Sequence, residues 1–313
     1  MNKVEFLSFE GGGVKAYAYV GVMKYFSEQK ISLCDLRVIS GSSIGAFTAL
    51  CIVLKYDFSE FNEVLADLSV PNFLNFYTIC RAIPNIFMQY GVVPTTPLIK
   101  LVDEVLSRKN IPTDITFKDL YEYSKIDLII TGSNVNAMET KYFNYKNTPD
   151  MKIRDACVIS MSYPILFTPT LLNNDYYCDG GLYRNIPFKY IDVEYDEQVN
   201  SIGITLQETS DVYNKSRNFI EYILCLLNGL YNNSTWSDFK DDKYVIDKRI
   251  CQIPIPSDIS SFHVTDEQKQ LLCDSGYNAI KKYMDSLNTP TSAAWKKVRD
   301  IEVELNTHIL PLI

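Results

Sequence analysis

Gly41-Ser42-Ser43-Ile44-Gly45 is the segment of this chain with the plainest chemical potential. A G-x-S-x-G run between a strand and a helix makes a turn so tight that the flanking positions must lack side chains. It leaves the central hydroxyl exposed at the start of the helix. There the helix dipole and the N–H of Ile44 can stabilise negative charge, which is what an attacking serine requires. An ordinary small-residue turn spells the same letters, so the rest of the chain must decide. A second glycine run, Gly11-Gly12-Gly13, follows the apolar residues 4–9. A phosphate-cradling loop would continue into G-K-[ST], and a dinucleotide fingerprint would read G-x-G-x-x-G with an acid some twenty positions on. Neither follows Gly13. If Ser43 attacks an ester carbonyl, bare backbone that approaches the reacting oxygen suits an oxyanion hole, and Gly11, Gly12 and Gly13 are its candidate donors.

A serine nucleophile needs a base, and the chain has only two histidines, His263 and His308. Ser43, Asp179 and His263 stand in a familiar triad order, but "SSFHVTDEQ" reads as a loop entering a helix. Asp179 is the stronger candidate. It lies in "CDGGLYRNIP", where Gly180 and Gly181 let the backbone turn and leave the carboxylate unobstructed. An aspartate is a weak base in water, with a pKa of about 3.9, so the role demands burial that raises it. Lys15, just past the glycines, could meet a lipid phosphate or be a solvated lysine.

Taken together, these blocks resemble the patatin-like phospholipase family over residues 5–187. "FEGGGVKAYAYVGV" looks like its glycine-rich loop, "GSSIG" its nucleophile elbow, "SMSYPILFTP" its proline-containing segment and "DGGLYRNIP" its Asp-Gly-Gly block. The resemblance implies a Ser-Asp dyad without histidine: Ser43 as nucleophile, Asp179 as base, and the three glycines as oxyanion donors. It implies a lipid acyl hydrolase of phospholipase A type that acts on membrane lipids through an acyl-serine and needs no metal or cofactor. Two features depart from the pattern: Ala16 stands where glycine is usual, and Ser160 and Ser162 replace a Ser and Ala pattern. The rival readings are a histidine-dependent esterase of soluble substrates and a catalytically silent lipid-binding protein.

The elements that must position these residues follow from hydrophobic periodicity. Residues 4–9 read as a strand and 14–28 as a helix weakened at Gly21; 36–40 and 46–55 repeat the unit after one turn. Two strand-turn-helix units in succession predict an α/β fold with a central, mainly parallel sheet flanked by helices in three layers. Residues 59–68, 94–107 and 117–124 read as helices. A strand is expected over 127–135 with an antiparallel neighbour at 141–145, then a helix over 153–160 and an extended path through Pro164 and Pro169. Strands at 201–206 and 249–255 and helices at 216–231 and 265–287 complete the pattern. Thr265 and Gln268 form a capping box on the last helix. With no linker or repeat, residues 1–313 read as a single domain, its motifs within 1–190 and completed by 191–313. Residues 71–94, aromatic with Arg81 as their only charge, fit core packing, a lid, an acyl-chain wall or a membrane-touching face.

A net charge of −8 argues against a broad nucleic-acid footprint. The eight cysteines show no C-x-x-C pair, so free thiols in a reducing compartment are expected. Residues 38–54 and 82–99 lack long uninterrupted apolar helices, and the start does not read as a signal peptide. The expectation is a cytoplasmic enzyme, peripheral to membranes.

Overall fold

The computed structural model describes residues 4–29, 33–66, 82–195, 201–208, 219–236, 249–256, 259 and 263–287. The chain opens with β1 (Phe6–Phe9), α1 (Tyr17–Glu28), β2 (Val38–Gly41), α2 (Ile44–Val53), α3 (Phe58–Ala66) and α4 (Ala82–Gln89). It continues through β3 (Gly91–Val93), α5 (Thr96–Arg108), α6 (Phe117–Ser124), β4 (Asp127–Asn134), β5 (Glu139–Phe143) and α7 (Ile153–Met161). Next come β6 (Ile165–Phe167), β7 (Thr170–Leu172), β8 (Asp175–Asp179) and α8 (Phe188–Tyr195). Last are β9 (Ser201–Glu208), α9 (Phe219–Trp236), β10 (Ile250–Ile255) and α10 (Asp266–Leu287).

Eight strands form one mixed sheet in the order β10-β9-β1-β2-β4-β8-β7, with β5 also pairing to β4. The strands β10, β9, β1, β2 and β4 run parallel. The strands β5, β8 and β7 form an antiparallel margin. Side chains alternate across a strand, so neighbouring residues of β1 serve different layers. Leu7 joins the large core cluster with Ile39, Ile130 and the buried residues of α1 and α2. Phe6 joins Val38, Ile129 and Ile191 of α8 on the opposite side. Helices therefore cover both faces of the sheet, as the paired strand-turn-helix units predict.

Two registers place the site. β2 ends at Gly41 opposite Ile130, and β8, running the other way, ends at Asp179 opposite Gly132. These two partners of β4 thus stop within two residues of the same level, and the turns that follow them meet there.

The C-terminal segments are tied to the same sheet. Arg249 makes a two-pronged ion pair with Asp192 of α8, at 2.6 and 2.9 Å, and its guanidinium lies over Phe188, 4.2 Å from the ring centre. The helix expected over 265–287 is α10, with the capping box in place: Gln268 N–H donates to Thr265 Oγ1 at 3.3 Å and Thr265 N–H to Gln268 Oε1 at 3.0 Å. Gly21 is a contact point rather than a weakness. A Cβ there would sit 1.9 Å from the Cys273 carbonyl oxygen, and one at Gly276 would sit 1.8 Å from that of Ala18. The two bare positions let α1 and α10 pack backbone to backbone.

The aromatic stretch 71–94 lies partly outside the described residues, which resume at residue 82. Its described part departs from core packing: Phe87 and Met88 are 80% and 79% exposed, and only Gly91 and Val93 are buried. The short β3 pairs with β6 in a separate two-stranded sheet.

Candidate active site

Ser43 sits between β2 and α2 with φ 53° and ψ −127°, a region that side chains other than glycine rarely occupy and that costs about 1–3 kcal/mol. Surrounding bonds hold the strain in place. Gly45 N–H donates to Ser42 O at 2.7 Å, and the Ser43 N–H donates to Ser160 Oγ at 2.9 Å. A Cβ on Gly41 would lie 2.2 Å from the Gly45 carbonyl carbon, and one on Gly45 would lie 2.4 Å from the Phe9 carbonyl oxygen. The two flanking glycines are thus demanded by close approach of three backbone segments. Ile44, the first residue of α2, has no intrahelical acceptor for its N–H, and that N–H makes no hydrogen bond among the described residues.

Asp179 ends β8 and is fully buried. Its Oδ1 accepts the Gly181 N–H at 2.8 Å, and its own N–H donates to the Ser162 carbonyl at 2.9 Å. The segment 160–162 therefore holds Ser43 through the Ser160 hydroxyl and Asp179 through the Ser162 main-chain carbonyl, while the Ser162 hydroxyl itself donates to the Val158 carbonyl at 2.6 Å. Oδ2 is buried and makes no hydrogen bond of ordinary geometry among the described residues. The Ser43 and Tyr231 hydroxyls nevertheless lie close enough to act on the carboxylate. Burial pushes its pKa up to about 7, against the Ser43 hydroxyl, the Gly181 N–H and the Tyr231 hydroxyl, which favour the ionised form.

The glycine loop leads from β1 past Ser43. A Cβ on Gly11 would lie 2.9 Å from that of Ser43. The expectation that Gly11, Gly12 and Gly13 all serve as donors needs correction at Gly11, whose N–H is committed to Asn185 Oδ1 at 3.1 Å. The Gly12 and Gly13 N–H groups make no hydrogen bond among the described residues. Lys15 also differs from expectation: its ammonium is paired with Glu208 at 2.6 Å instead of standing free for a phosphate.

A cavity of about 140 Å³ joins these groups. The glycine loop, Ser43, Ile44, Tyr163 and Tyr231 line it, with Leu98, Met161, Leu166 and Phe167 as an apolar wall and Lys15, Glu208, Asn228 and Asn232 at a polar side. The apolar wall is supplied by α5, α7 and β6, and no described residue of 82–94 belongs to it. His263 is exposed and lies in a separate hollow beside Thr265, Asp266 and Glu267. His308 falls outside the described residues. Among the described residues no group of three or more His, Cys, Asp and Glu side chains could hold a metal ion, and no helix is long and apolar enough to cross a membrane.

The family model Patatin-like phospholipase matches residues 7–192, which include Ser43, Asp179 and the glycine loop. The chain belongs to the patatin-like phospholipase family. It is 28% identical over 301 residues to uncharacterized protein R571 of Acanthamoeba polyphaga mimivirus, covering 91% of this chain and 95% of that one. It is 25% identical over 194 residues to probable lipid hydrolase 463L of Invertebrate iridescent virus 6, covering 62% of this chain and 65% of the relative. The crystal structure of VipD from Legionella pneumophila shares the fold, with a TM-score of 0.59 and 16% identity over 91% of this chain and 67% of VipD.

Sequence reasoning missed Tyr231, Ser160 as the partner of the Ser43 N–H, and a buried trio on the glycine loop. Glu10 accepts from Asn185 Nδ2 at 2.9 Å, from Thr235 Oγ1 at 2.5 Å and from the Leu206 N–H at 2.6 Å. Glu10 and Asn185 fall within the two quoted blocks, yet only their contact across the fold singles them out.

Proposed function

We propose that this patatin-like protein is a lipid acyl hydrolase of phospholipase A type that cleaves fatty-acyl esters of membrane lipids through a Ser-Asp dyad. The observation that carries the reading is the fully buried Asp179 carboxylate near the Ser43 hydroxyl, its Oδ2 left without a hydrogen bond among the described residues; burial raises its pKa to about 7. A base poised near neutral pH is half-ionised where it works and still strong enough to accept a proton. Family membership and the relative named as a probable lipid hydrolase support a lipid ester as substrate.

In the reaction, Ser43 Oγ bonds to the ester carbonyl carbon as its proton passes to Asp179 Oδ2. The carbonyl oxygen becomes an oxyanion facing the Gly12, Gly13 and Ile44 N–H groups. Collapse breaks the carbon–oxygen bond to the alcohol, which leaves with the proton from Asp179. Water then gives a proton to Asp179 and attacks the acyl carbon; the fatty acid departs and Ser43 recovers its proton. The apolar wall of Leu98, Met161, Leu166 and Phe167 suits the acyl chain, and a substrate embedded in a bilayer calls for peripheral membrane contact.

The test is release of free fatty acid from defined phospholipid vesicles. Ser43→Ala and Asp179→Ala should each lower kcat by at least about a thousandfold. His263→Ala should stay within about twofold of wild type. Fluorophosphonate labelling should be lost in Ser43→Ala alone among the serine variants. Equal activity in Asp179→Ala, or collapse in His263→Ala, would replace the dyad with another mechanism.

A further inference from the structure

We propose that Glu10 and Asn185 are positioning residues for the oxyanion loop: Glu10 orients the Asn185 amide, and Asn185 holds the Gly11 N–H so that the next two amides face the reacting carbonyl. The inference rests on the hydrolase reading above.

The bonding is directional throughout. An asparagine amide offers two donors on one side and an acceptor on the other. Here Nδ2 donates to Glu10 Oε1 at 2.9 Å and to Thr235 Oγ1 at 3.1 Å. With its donors so engaged, Oδ1 must face the opposite way, and it accepts the Gly11 N–H at 3.1 Å. Glu10 in turn is fixed from two further elements, by Thr235 of α9 on Oε1 and by the Leu206 N–H of β9 on Oε2. The Glu10 backbone carbonyl accepts the Tyr19 hydroxyl at 2.6 Å, which pins the main chain of the loop as well. All these groups are buried or partly buried, so water does not substitute for a lost bond without rearrangement. Gly11 is the residue beside Ser43, and the two glycines that follow keep their N–H groups uncommitted among the described residues.

The carboxylate accepts three hydrogen bonds, as an ionised group does. Burial works against that charge and raises its pKa to about 7, while Thr235, the Leu206 N–H, Lys15 and Asn185 lower it. The charged and titratable groups around it are Lys15 and Tyr19 on its own turn and helix, and Glu208 of β9, itself paired with Lys15. From α9 and the 179–187 turn the neighbours are the neutral Thr235 and Asn185. Loss of the charge on acidification would slacken the loop in the same range in which Asp179 takes up its proton.

The experiment compares wild type, Ser43→Ala, Glu10→Gln, Asn185→Ala and the milder Thr235→Val. It reads steady-state hydrolysis of a short soluble ester against pH and amide hydrogen exchange in the peptide covering residues 9–16. The expected result is a kcat lowered about tenfold to a hundredfold in Glu10→Gln and Asn185→Ala, with KM within about threefold. Exchange at the glycines should be at least about tenfold faster, and the acidic limb of Glu10→Gln should titrate one proton where wild type titrates two. Thr235→Val should fall between them and wild type, and it carries the comparison if either stronger variant does not fold. A kcat within about twofold of wild type, with unchanged exchange and an unchanged limb, overturns the inference while the dyad stands. If wild type hydrolyses no ester, the hydrolase reading fails, and exchange alone decides whether Glu10 and Asn185 hold the loop.

Discussion

Asp179 is placed where a carboxylate is least comfortable, and its discomfort is measurable. Its folded-state pKa, about 7, lies above the unfolded value of 3.8, so folding draws in a proton between those limits. The stabilising contribution is full below pH 3.8 and is lost as pH rises through about 7. Asp179→Asn removes the charge but keeps an oxygen for the Gly181 N–H, so it should raise stability at pH 8 by at least about 1 kcal/mol while abolishing activity. Thermal melting beside the fatty-acid assay checks both halves. In wild type, activity should rise with pH through about 7, because the proposed base must be ionised. Ser160→Ala would leave the Ser43 N–H without its acceptor; it should cost about 1–2 kcal/mol by urea unfolding and lower kcat more than it alters KM. The positions of Ser43 and Asp179 were legible because their glycine neighbours are in the covalent sequence. The Glu10, Asn185 and Thr235 cluster was not, since its bonds join residues 50, 175 and 225 positions apart.

Among the elements, periodicity located β1, β2, β4, β9 and β10 because each is a buried apolar run. It did not resolve β7 and β8, whose strands are three and five residues long and joined through Asn173 and Asn174, both at positive φ. These short strands matter for the site, since β8 delivers Asp179 to the level of Gly132. Gly21 shows the opposite difficulty: intrinsic propensity marks it as a weak helix residue, while its purpose lies in a partner helix more than 250 positions later in the chain. Gly276→Ala should destabilise the protein by about 3 kcal/mol or more, because the added methyl meets a main-chain carbonyl that no rotamer change can move aside. Chemical denaturation measures the loss, and an exposed helix glycine such as Gly229, with open space around its Cβ position, provides the contrast: alanine there should stabilise.

For the molecule as a whole, three deeply placed carboxylates share one sign. Burial raises the pKa of Glu10 to about 7, of Asp127 to about 6 and of Asp179 to about 7. Each contributes stability at low pH that is lost on passing through its folded value, so the melting temperature should be higher at pH 6 than at pH 8. A scan of Tm against pH that climbed over this interval would reverse the assignment. The family match stops at residue 192, yet Leu206 and Thr235 grip Glu10, and Ser234 Oγ donates to the Gly181 carbonyl at 2.6 Å. A fragment trimmed to the family match would therefore retain both proposed reacting groups but lack the far clasp on each of their loops. If the proposed dyad and clasp hold, competence belongs to the late-arriving part of the chain as much as to the signature, and a nascent chain should gain activity only after its second half has closed over the first.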